Sequence, residues 1–135
     1  MYQGIYTIKE NKKIAKDVFK MIVEGDTSAL TATGQFVNLK IDGLYLRRPI
    51  SVCDYDDSTI TLIYKVVGAG TEIMSTRVAG EKFDILVGLG NGYNTDKSGE
   101  APLLIGGGVG VPPMYGLCKK LVSEGKKPTV ILGFN

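Results

Sequence analysis

Two short motifs in the first half of the chain have the residue types of an anion-binding site. The segment RRPIS at residues 47–51 places two cations, a proline and a hydroxyl at the start of an expected strand. The segment GAGT at residues 68–71 precedes an expected helix, whose free N–H groups and positive dipole end favour an anion. Taken alone, the first motif is more often a solvated basic loop, and the second is equally well explained by a glycine turn with Thr71 as the helix N-cap. Together they offer a guanidinium and a helix N-terminus, which suit one pyrophosphate.

A third motif, GGGVGVPP at residues 106–113, lies between an expected strand and an expected helix. It does not fit the dinucleotide fingerprint G-x-G-x-x-G/A, because Val111 or Pro113 occupies the third position in either register. It fits G-x-G-x-x-P from Gly108, with a proline suited to helix entry. A purely structural turn seldom needs four glycines in five positions, so we expect this loop to bind phosphate. The four glycines are Gly106, Gly107, Gly108 and Gly110.

The composition limits the possible chemistry. The chain has 135 residues, of which 44% are hydrophobic and 22% charged, which is typical of a globular protein rather than a disordered one. A net charge of +2 falls far short of the basic excess used to bind a phosphate backbone, so we expect no nucleic-acid partner. The absence of histidine excludes His-based triads, His general bases and His metal ligands.

The two cysteines, Cys53 and Cys118, lie far apart in the chain and form neither a CxxC unit nor a disulfide framework. Both have apolar neighbours, so we expect buried structural thiols. The N-terminus has no apolar signal segment, and the uncharged stretch at residues 101–118 is too rich in glycine and proline for a lipid-exposed helix. We therefore expect a cytoplasmic protein without a membrane partner.

The elements that must position these motifs divide the chain into two unequal parts. Up to about Tyr93, short β-branched runs separated by turn residues are typical of an antiparallel barrel or sandwich. A short helix begins at Thr71 and ends near Gly80. Tyr45 and Tyr64 are expected to be half-buried barrel residues, although either ring could stack on a planar ligand. The expected strands cover residues 5–9, 18–23, 35–41, 50–55, 59–67 and 83–87.

Beyond a polar linker at residues 94–100, the pattern changes to strand, glycine loop, helix and strand. We expect these elements at residues 103–105, 106–110, 113–123 and 129–132. Two strands and one helix cannot form an independent core. We therefore interpret residues 98–135 as the start of an incomplete α/β nucleotide-binding domain that follows a β-barrel domain at residues 1–97.

In this order, the motifs resemble the ferredoxin reductase superfamily, and within it the electron-transfer subunits of class B dihydroorotate dehydrogenase. The resemblance extends over essentially the whole chain and rests on four segments: RPIS at 48–51, YKVVGAGT at 64–71, LGNGY at 89–93 and GGGVGVPPM at 106–114. It implies a mainly β fold, with an antiparallel Greek-key flavin-binding barrel followed by the incomplete α/β domain. The family usually has Gly-Pro before L-G-N-G, whereas this chain has Val87-Gly88.

The resemblance also implies FAD as cofactor and a set of residues that contact it. Arg48 would bind the pyrophosphate, Ser51 would lie near the flavin ring, and Pro49 and Ile50 would shape the ring pocket. The adjacent strand would line the cofactor with Ile63, Tyr64 and Lys65, and the helix would bind the pyrophosphate with Gly70 and Thr71. The loop glycines Gly106, Gly107, Gly108 and Gly110 would belong to the NAD(H) site.

In the intact family, NADH passes a hydride to FAD. Electrons then travel singly through a [2Fe–2S] centre to FMN on a catalytic subunit that oxidises dihydroorotate to orotate in pyrimidine biosynthesis, within a heterotetramer. The four cysteines that bind the cluster in the family are absent here, so we expect no metal in this chain, which would be a fragment or a truncated product, inactive alone. Hydride transfer requires no general base, so no catalytic side chain is expected.

Two alternatives remain open. The chain could be the flavin subunit of another NAD(P)H–ferredoxin oxidoreductase or of a hydrogenase, since these proteins share nearly all the motifs. It could also be a flavin-free interaction domain that keeps the barrel without its chemistry.

Overall fold

Ten regular elements account for most of the chain in the computed structural model, which describes all of residues 1–135. The barrel strands are β1 (Tyr2–Ala15), β2 (Val18–Glu24), β3 (Phe36–Leu39), β4 (Arg48–Tyr55), β5 (Thr59–Lys65) and β6 (Lys82–Leu89), with helix α1 (Ala69–Thr76) between β5 and β6. The second part contains β7 (Leu103–Gly107), α2 (Val111–Ser123) and β8 (Thr129–Gly133). Neither helix is long and apolar enough to cross a membrane.

The first six strands form a closed antiparallel barrel in the order β1-β2-β5-β4-β3-β6. Strands β3, β4 and β5 are neighbours in sequence and in space. Strand β2 pairs with β5 rather than with β3, so the connection from β2 to β3 at residues 25–35 crosses one end of the barrel. This is a Greek-key arrangement. The mainly β class and the barrel predicted from the sequence are therefore confirmed.

Alternate residues of the strands point into the barrel and form one core of 16 buried residues. In β1, for example, Tyr6 and Ile8 are buried while their neighbours are not. Helix α1 contributes Met74, which is fully buried in the same core. The partly buried Ile73 packs against the same core, so two side chains of its apolar face hold the helix against the barrel.

Strand β1 is much longer than the five residues predicted. Its first half pairs with β6 through residues 2–7, and its second half pairs with β2 through residues 7–15. The second half lies beyond the core, so its side chains do not alternate between apolar and polar. The alternation of apolar and polar residues, from which strands are predicted, is therefore absent from the second half of β1, although this half pairs with β2.

The second part of the chain is a parallel strand pair, β7 and β8, with α2 packed against it. Leu104 packs against Met114, Leu117 and Leu121 of the helix, whereas every residue of β8 is exposed. Three boundaries differ from the sequence prediction: β7 continues through Gly106 and Gly107, α2 begins at Val111 rather than Pro113, and β8 ends at Gly133 rather than at residue 132. The domain division after residue 97 remains a prediction.

The LGNGY segment lies against the loop at residues 25–35. Gly88 has a φ of +74°, and a Cβ placed there would lie 3.0 Å from the carbonyl carbon of Ala29. At Gly92, with a φ of +73°, a Cβ would lie 2.5 Å from Cβ of Ala32. Glycine at these positions permits both the backbone conformation and the close approach of the two loops.

We expect Gly88→Ala to destabilise the protein by more than about 2 kcal/mol, because the left-handed backbone and the contact with Ala29 both resist a side chain. Gly43→Ala is the matched control: its φ is +83°, but no atom lies within 4 Å of the added Cβ, so only the conformational cost of about 1 kcal/mol applies. Urea unfolding of both variants measures the difference. Equal losses would show that the contact between the loops contributes nothing.

Candidate functional site

Most of the residues predicted to bind a cofactor line one groove on the barrel surface. The groove has a volume of about 330 Å³ and contains no acidic residue. Of the nine residues predicted, only Gly70 is not in its lining. The lining residues are Arg48, Pro49, Ile50, Ser51, Ile63, Tyr64, Lys65, Val67, Thr71 and Val109.

The groove exists because β4 and β5 separate at one end. The two strands pair from the turn that joins them only as far as Val52 and Leu62. Beyond that point, residues 48–51 pair with β3 and residues 63–65 pair with β2. The facing edges of β4 and β5 therefore present backbone N–H and C=O groups that have no partner strand. Proline at position 49 suits such an edge, because its missing N–H interrupts no ladder.

Arg48 and Gly70, which lie 22 positions apart in the chain, are in contact. A Cβ built on Gly70 would lie 2.9 Å from Cγ of Arg48 and 2.9 Å from Cζ, so the guanidinium rests against the bare backbone of the helix. Nη1 of Arg48 donates a hydrogen bond to the carbonyl of Leu46. The predicted pairing of a guanidinium with a helix N-terminus is thus present in the folded chain.

Helix α1 begins at Ala69, with Gly68 as its N-cap, so Thr71 is not the cap that the sequence predicted. Thr71 lies inside the first turn, where its Oγ1 accepts hydrogen bonds from the N–H groups of Val67 (2.9 Å) and Gly68 (3.2 Å). The first bond of the helix runs from the N–H of Glu72 to the carbonyl of Gly68. The N–H groups of residues 69–71 precede this bond and have no partner within the helix.

The two tyrosines near the motifs are not half-buried as predicted. Tyr64 is 2% exposed, its ring stacks on Phe19 with centroids 5.8 Å apart, and burial raises the pKa of its hydroxyl to about 12. Its ring belongs to the core, although the residue also lines the groove. Tyr45 is the opposite case: it is 100% exposed on the loop before β4.

A second and larger groove, of about 940 Å³, lies between the barrel and the α/β unit. Both grooves are lined by Ile63, Tyr64, Lys65 and Val109, so they are continuous. The 3₁₀ turn at Gly108–Gly110 places Val109 at their junction. The predicted phosphate loop therefore borders the predicted cofactor groove.

Only part of the glycine motif is free to bind a ligand. Gly106 and Gly107 are strand residues, and a Cβ on Gly106 would lie 3.0 Å from Cγ of Met114, so this glycine allows α2 to pack on β7. The N–H of Val111 donates to the carbonyl of Gly108, and prolines 112 and 113 have no N–H. An anion at this loop would depend on the N–H groups of residues 108–110 rather than on the helix terminus.

Helix α2 is docked directly on β4. A Cβ on Gly116 would lie 2.6 Å from the carbonyl oxygen of Cys53, and Nζ of Lys119 lies 2.9 Å from Oδ2 of Asp54. Cys53 is buried as predicted, and burial raises the pKa of its thiol to about 11, whereas Cys118 is only half-buried. No three His, Cys, Asp or Glu side chains lie together in a geometry that could hold a metal ion.

The sequence analysis missed two residues of the groove, Val67 and Val109. Val67 was the last residue of the strand expected at 59–67, but β5 ends at Lys65, and at 77% exposed this is an unusual position for valine. That exposure is visible only in the folded chain. Val109 was included only as the non-glycine residue of the loop at 106–110. A 3₁₀ turn of three residues is too short for the spacing of apolar residues to indicate which side chain faces a groove.

No protein-family model matches the chain, but curated proteins do. The electron transfer subunit of dihydroorotate dehydrogenase B (NAD(+)) from Fusobacterium nucleatum is 42% identical over 96% of this chain and 53% of that protein. The corresponding subunit from Enterococcus faecalis is 41% identical over 98% of this chain and 53% of its own length. The chain is related to the electron-transfer subunits of dihydroorotate dehydrogenase B. It spans about half the length of these relatives, and the resemblance seen in its motifs is confirmed.

Solved structures agree with this relationship. The NADH-dependent reduced ferredoxin–NADP oxidoreductase, studied for flavin-based electron bifurcation, is 30% identical with a TM-score of 0.87 over 98% of this chain and 49% of that chain. Phthalate dioxygenase reductase, which transfers electrons from pyridine nucleotides to [2Fe–2S], is 20% identical with a TM-score of 0.80 over 98% of this chain and 43% of that chain. The second likeness shows the fold alone, and both confirm the ferredoxin reductase-like fold.

We expect Thr71→Val to destabilise the protein by about 1–2 kcal/mol, because the N–H groups of Val67 and Gly68 lose their acceptor. Thr76→Val is the matched control on the same helix: Thr76 is exposed, and its hydroxyl donates only to the carbonyl of Ile73. We expect that change to stay within about 0.5 kcal/mol. Thermal unfolding of the two variants tests this, and a similar midpoint for both would mean that Oγ1 of Thr71 does not hold the loop.

Proposed function

We propose that the groove binds FAD, and that the chain is the flavin-binding part of an electron-transfer subunit that passes electrons between NADH and a flavin-containing catalytic subunit. One observation carries the proposal: an arginine, a helix N-terminus and two unpaired strand edges, from distant parts of the sequence, meet in one groove. The arginine and the helix N-terminus suit the pyrophosphate of a flavin dinucleotide, and the strand edges suit its flavin ring. The relatives named as electron-transfer subunits support the same function.

The pyrophosphate of FAD fits between Arg48 and the start of α1. The guanidinium has five donors, of which one is used on the carbonyl of Leu46. Glycine at position 70 has no Cβ, so the guanidinium can lie against the start of the helix, next to its free N–H groups. Thr71 keeps the preceding loop folded away from this position through the bonds that its hydroxyl accepts.

The flavin ring fits between the separated strands. Pro49 and Ile50 supply apolar contacts, and Ser51 supplies a hydroxyl. The free edge of β5 at residues 63–65 presents backbone donors and acceptors to the polar side of the ring, with Tyr64 acting through its backbone. When bound, FAD would accept a hydride from NADH and release electrons singly, which is the chemistry that the protein itself lacks.

We propose that the NAD(H) phosphates bind the loop at Gly108–Gly110. The supporting observation is that Val109 borders both grooves, so this loop lies beside the flavin position. The packing of Gly106 and Gly107 in β7 makes them supports of the loop rather than ligands. Val109 itself faces the flavin position.

The proposed partner is a catalytic subunit that oxidises dihydroorotate, since the relatives are named as subunits of that dehydrogenase. A second candidate is the flavin subunit of a ferredoxin–NADP oxidoreductase, which the 30% identity and TM-score of 0.87 to such a protein favour. Size-exclusion chromatography of the FAD-loaded chain with each purified partner subunit separates the two. Co-elution with the dihydroorotate dehydrogenase subunit supports the first proposal, and co-elution with the oxidoreductase subunit supports the second.

A visible spectrum of the purified protein tests flavin binding itself. We expect oxidised-flavin bands and the release of FAD rather than FMN on denaturation. A protein that stays colourless after incubation with FAD would be the flavin-free interaction domain that the sequence left open.

We expect Arg48→Ala to weaken FAD binding about 10- to 100-fold, because a charge-assisted contact to phosphate contributes about 1.5–3 kcal/mol. Arg48→Lys keeps the charge but loses the planar fork, so its loss should be smaller. Lys97→Ala removes an exposed charge outside the groove and should change nothing. Isothermal titration of the apoprotein with FAD measures all three, and an unchanged dissociation constant for Arg48→Ala would place this side chain outside the site.

We expect NADH to reduce the FAD of the 135-residue chain slowly, although dithionite should reduce it fully. The reason is geometric: the loop at residues 108–110 forms one wall of a nucleotide site, and β8 beside it is exposed along its whole length. Stopped-flow mixing with NADH measures the rate. Rapid bleaching that saturates at micromolar NADH would contradict this expectation.

A further inference from the structure

Asn11 joins two elements of the proposed FAD site without lining either groove. Its Nδ2 donates to the carbonyl oxygens of Met74 and Arg77, both at 2.8 Å. Its Oδ1 accepts the hydroxyl proton of Tyr64 at 2.9 Å. A side chain on β1 therefore bonds to the end of α1 on one side and to β5 on the other.

The orientation of the Asn11 amide follows from its partners. Backbone carbonyls can only accept, so the NH₂ group must face the helix. The oxygen then faces Tyr64, whose hydroxyl stays protonated and donates. Both N–H bonds and one acceptor site of the amide are used, so any rotation of the group breaks at least one hydrogen bond.

At the C-terminal end of α1, one carbonyl is bonded from within the helix: the hydroxyl of Thr76 donates to the carbonyl of Ile73 at 2.7 Å. The helix has eight residues and no basic residue in its last turn. The carbonyl of Met74 accepts from the N–H of Arg77 at 3.2 Å, and Asn11 is the side chain that donates to the carbonyls of Met74 and Arg77. Residue 11 can reach them because β1 stops pairing with β6 after Thr7, which leaves that edge of β1 free to face the helix.

The position of this end fixes the other end of the helix. Eight residues make about two turns, so α1 moves as a rigid body and a tilt at its C-terminus displaces the N–H groups of residues 69–71. Met74 holds the helix to the core, and Asn11 fixes its direction about that point. Through Tyr64, the same amide is bonded to the strand whose free edge forms the opposite wall of the groove.

We propose that Asn11 is a positioning residue for the cofactor: it sets the spacing between the N-terminus of α1 and the free edge of β5, and so the fit of the FAD pyrophosphate. This inference rests on the proposed function, because it concerns the same ligand. It assigns to Asn11 an effect on FAD binding beyond any effect on stability.

Three variants of the full 135-residue chain test the role. Asn11→Ala removes all three hydrogen bonds, and Asn11→Asp keeps the shape and the acceptor for Tyr64 but loses both donors to the helix. Gln35→Ala is the matched control. Gln35 is buried, whereas Asn11 is half-buried, and it also joins distant segments through its amide. Its amide bonds to the N–H groups of Thr31 (2.8 Å) and Ala32 (3.2 Å) and to the carbonyl of Gly90 (3.0 Å), but the residue lines neither groove.

Two readouts separate positioning from stability: the dissociation constant of FAD, and the ³¹P NMR resonances of the bound pyrophosphate. We expect both Asn11 variants to raise the dissociation constant roughly tenfold and to shift at least one ³¹P resonance. Gln35→Ala should lower the unfolding midpoint but leave both readouts unchanged. Unchanged readouts in Asn11→Ala, or equal changes in Gln35→Ala, would overturn the inference.

Two further measurements keep the inference testable if FAD binding or folding fails. Amide hydrogen exchange of residues 69–77 in the apoprotein should be faster in Asn11→Ala than in the wild type, and equal exchange would overturn the inference. This result is independent of FAD, whereas a wild-type chain that binds no FAD contradicts the proposed function alone. If the Asn11 variants do not fold, Tyr64→Phe removes only one hydrogen bond, and it should still raise the FAD dissociation constant severalfold; no change would overturn the link to β5.

Discussion

The separation of β4 from β5 is the constraint on which the rest of the site depends. A closed barrel uses nearly all its backbone donors and acceptors in pairing, and so has little to offer a ligand. In this barrel the two strands pair from their turn only to Val52 and Leu62, and then each continues with its other neighbour. The barrel stays closed, yet two strand edges face each other across a groove. Arg48, Ser51 and Lys65 line that groove because they lie on the parts of β4 and β5 that do not pair with each other.

The residues that line the groove were largely predictable from the sequence, partly from their chemical types and partly from the resemblance to a known family. Arginine before a strand and glycines before a helix suggest an anion site even without a fold, and the groove brings them together. The strands with alternating apolar residues were predictable for a similar reason, since the core imposes that period. The second half of β1 was not, because it pairs outside the core and no burial pattern marks it.

The residues that hold the site in shape were not predictable. Asn11 bonds to atoms 53 to 66 positions away, and Gln35 bonds to an atom 55 positions away. Such bonds depend on the closed barrel, so no local pattern indicates them. The role of Thr71 was misassigned for a different, local reason: its position near the helix suggested a cap, but the helix already begins two residues earlier, at Ala69. Gly106 is the opposite case. The sequence analysis assigned this glycine to a ligand-binding loop, but its lack of a side chain is explained by the packing of Met114 against it.

The pairing of β1 with β6 also determines the order in which the chain folds during synthesis. Tyr2 pairs with Val87, so β1 gains β6 as its second partner strand only after nearly the whole barrel has been synthesised. Local hairpins, such as β1–β2 and β4–β5, are available as soon as they leave the ribosome, because their loops are short. The barrel itself closes only when β6 has emerged, and a ribosome that pauses before that point would expose an open five-strand precursor with two unpaired edges.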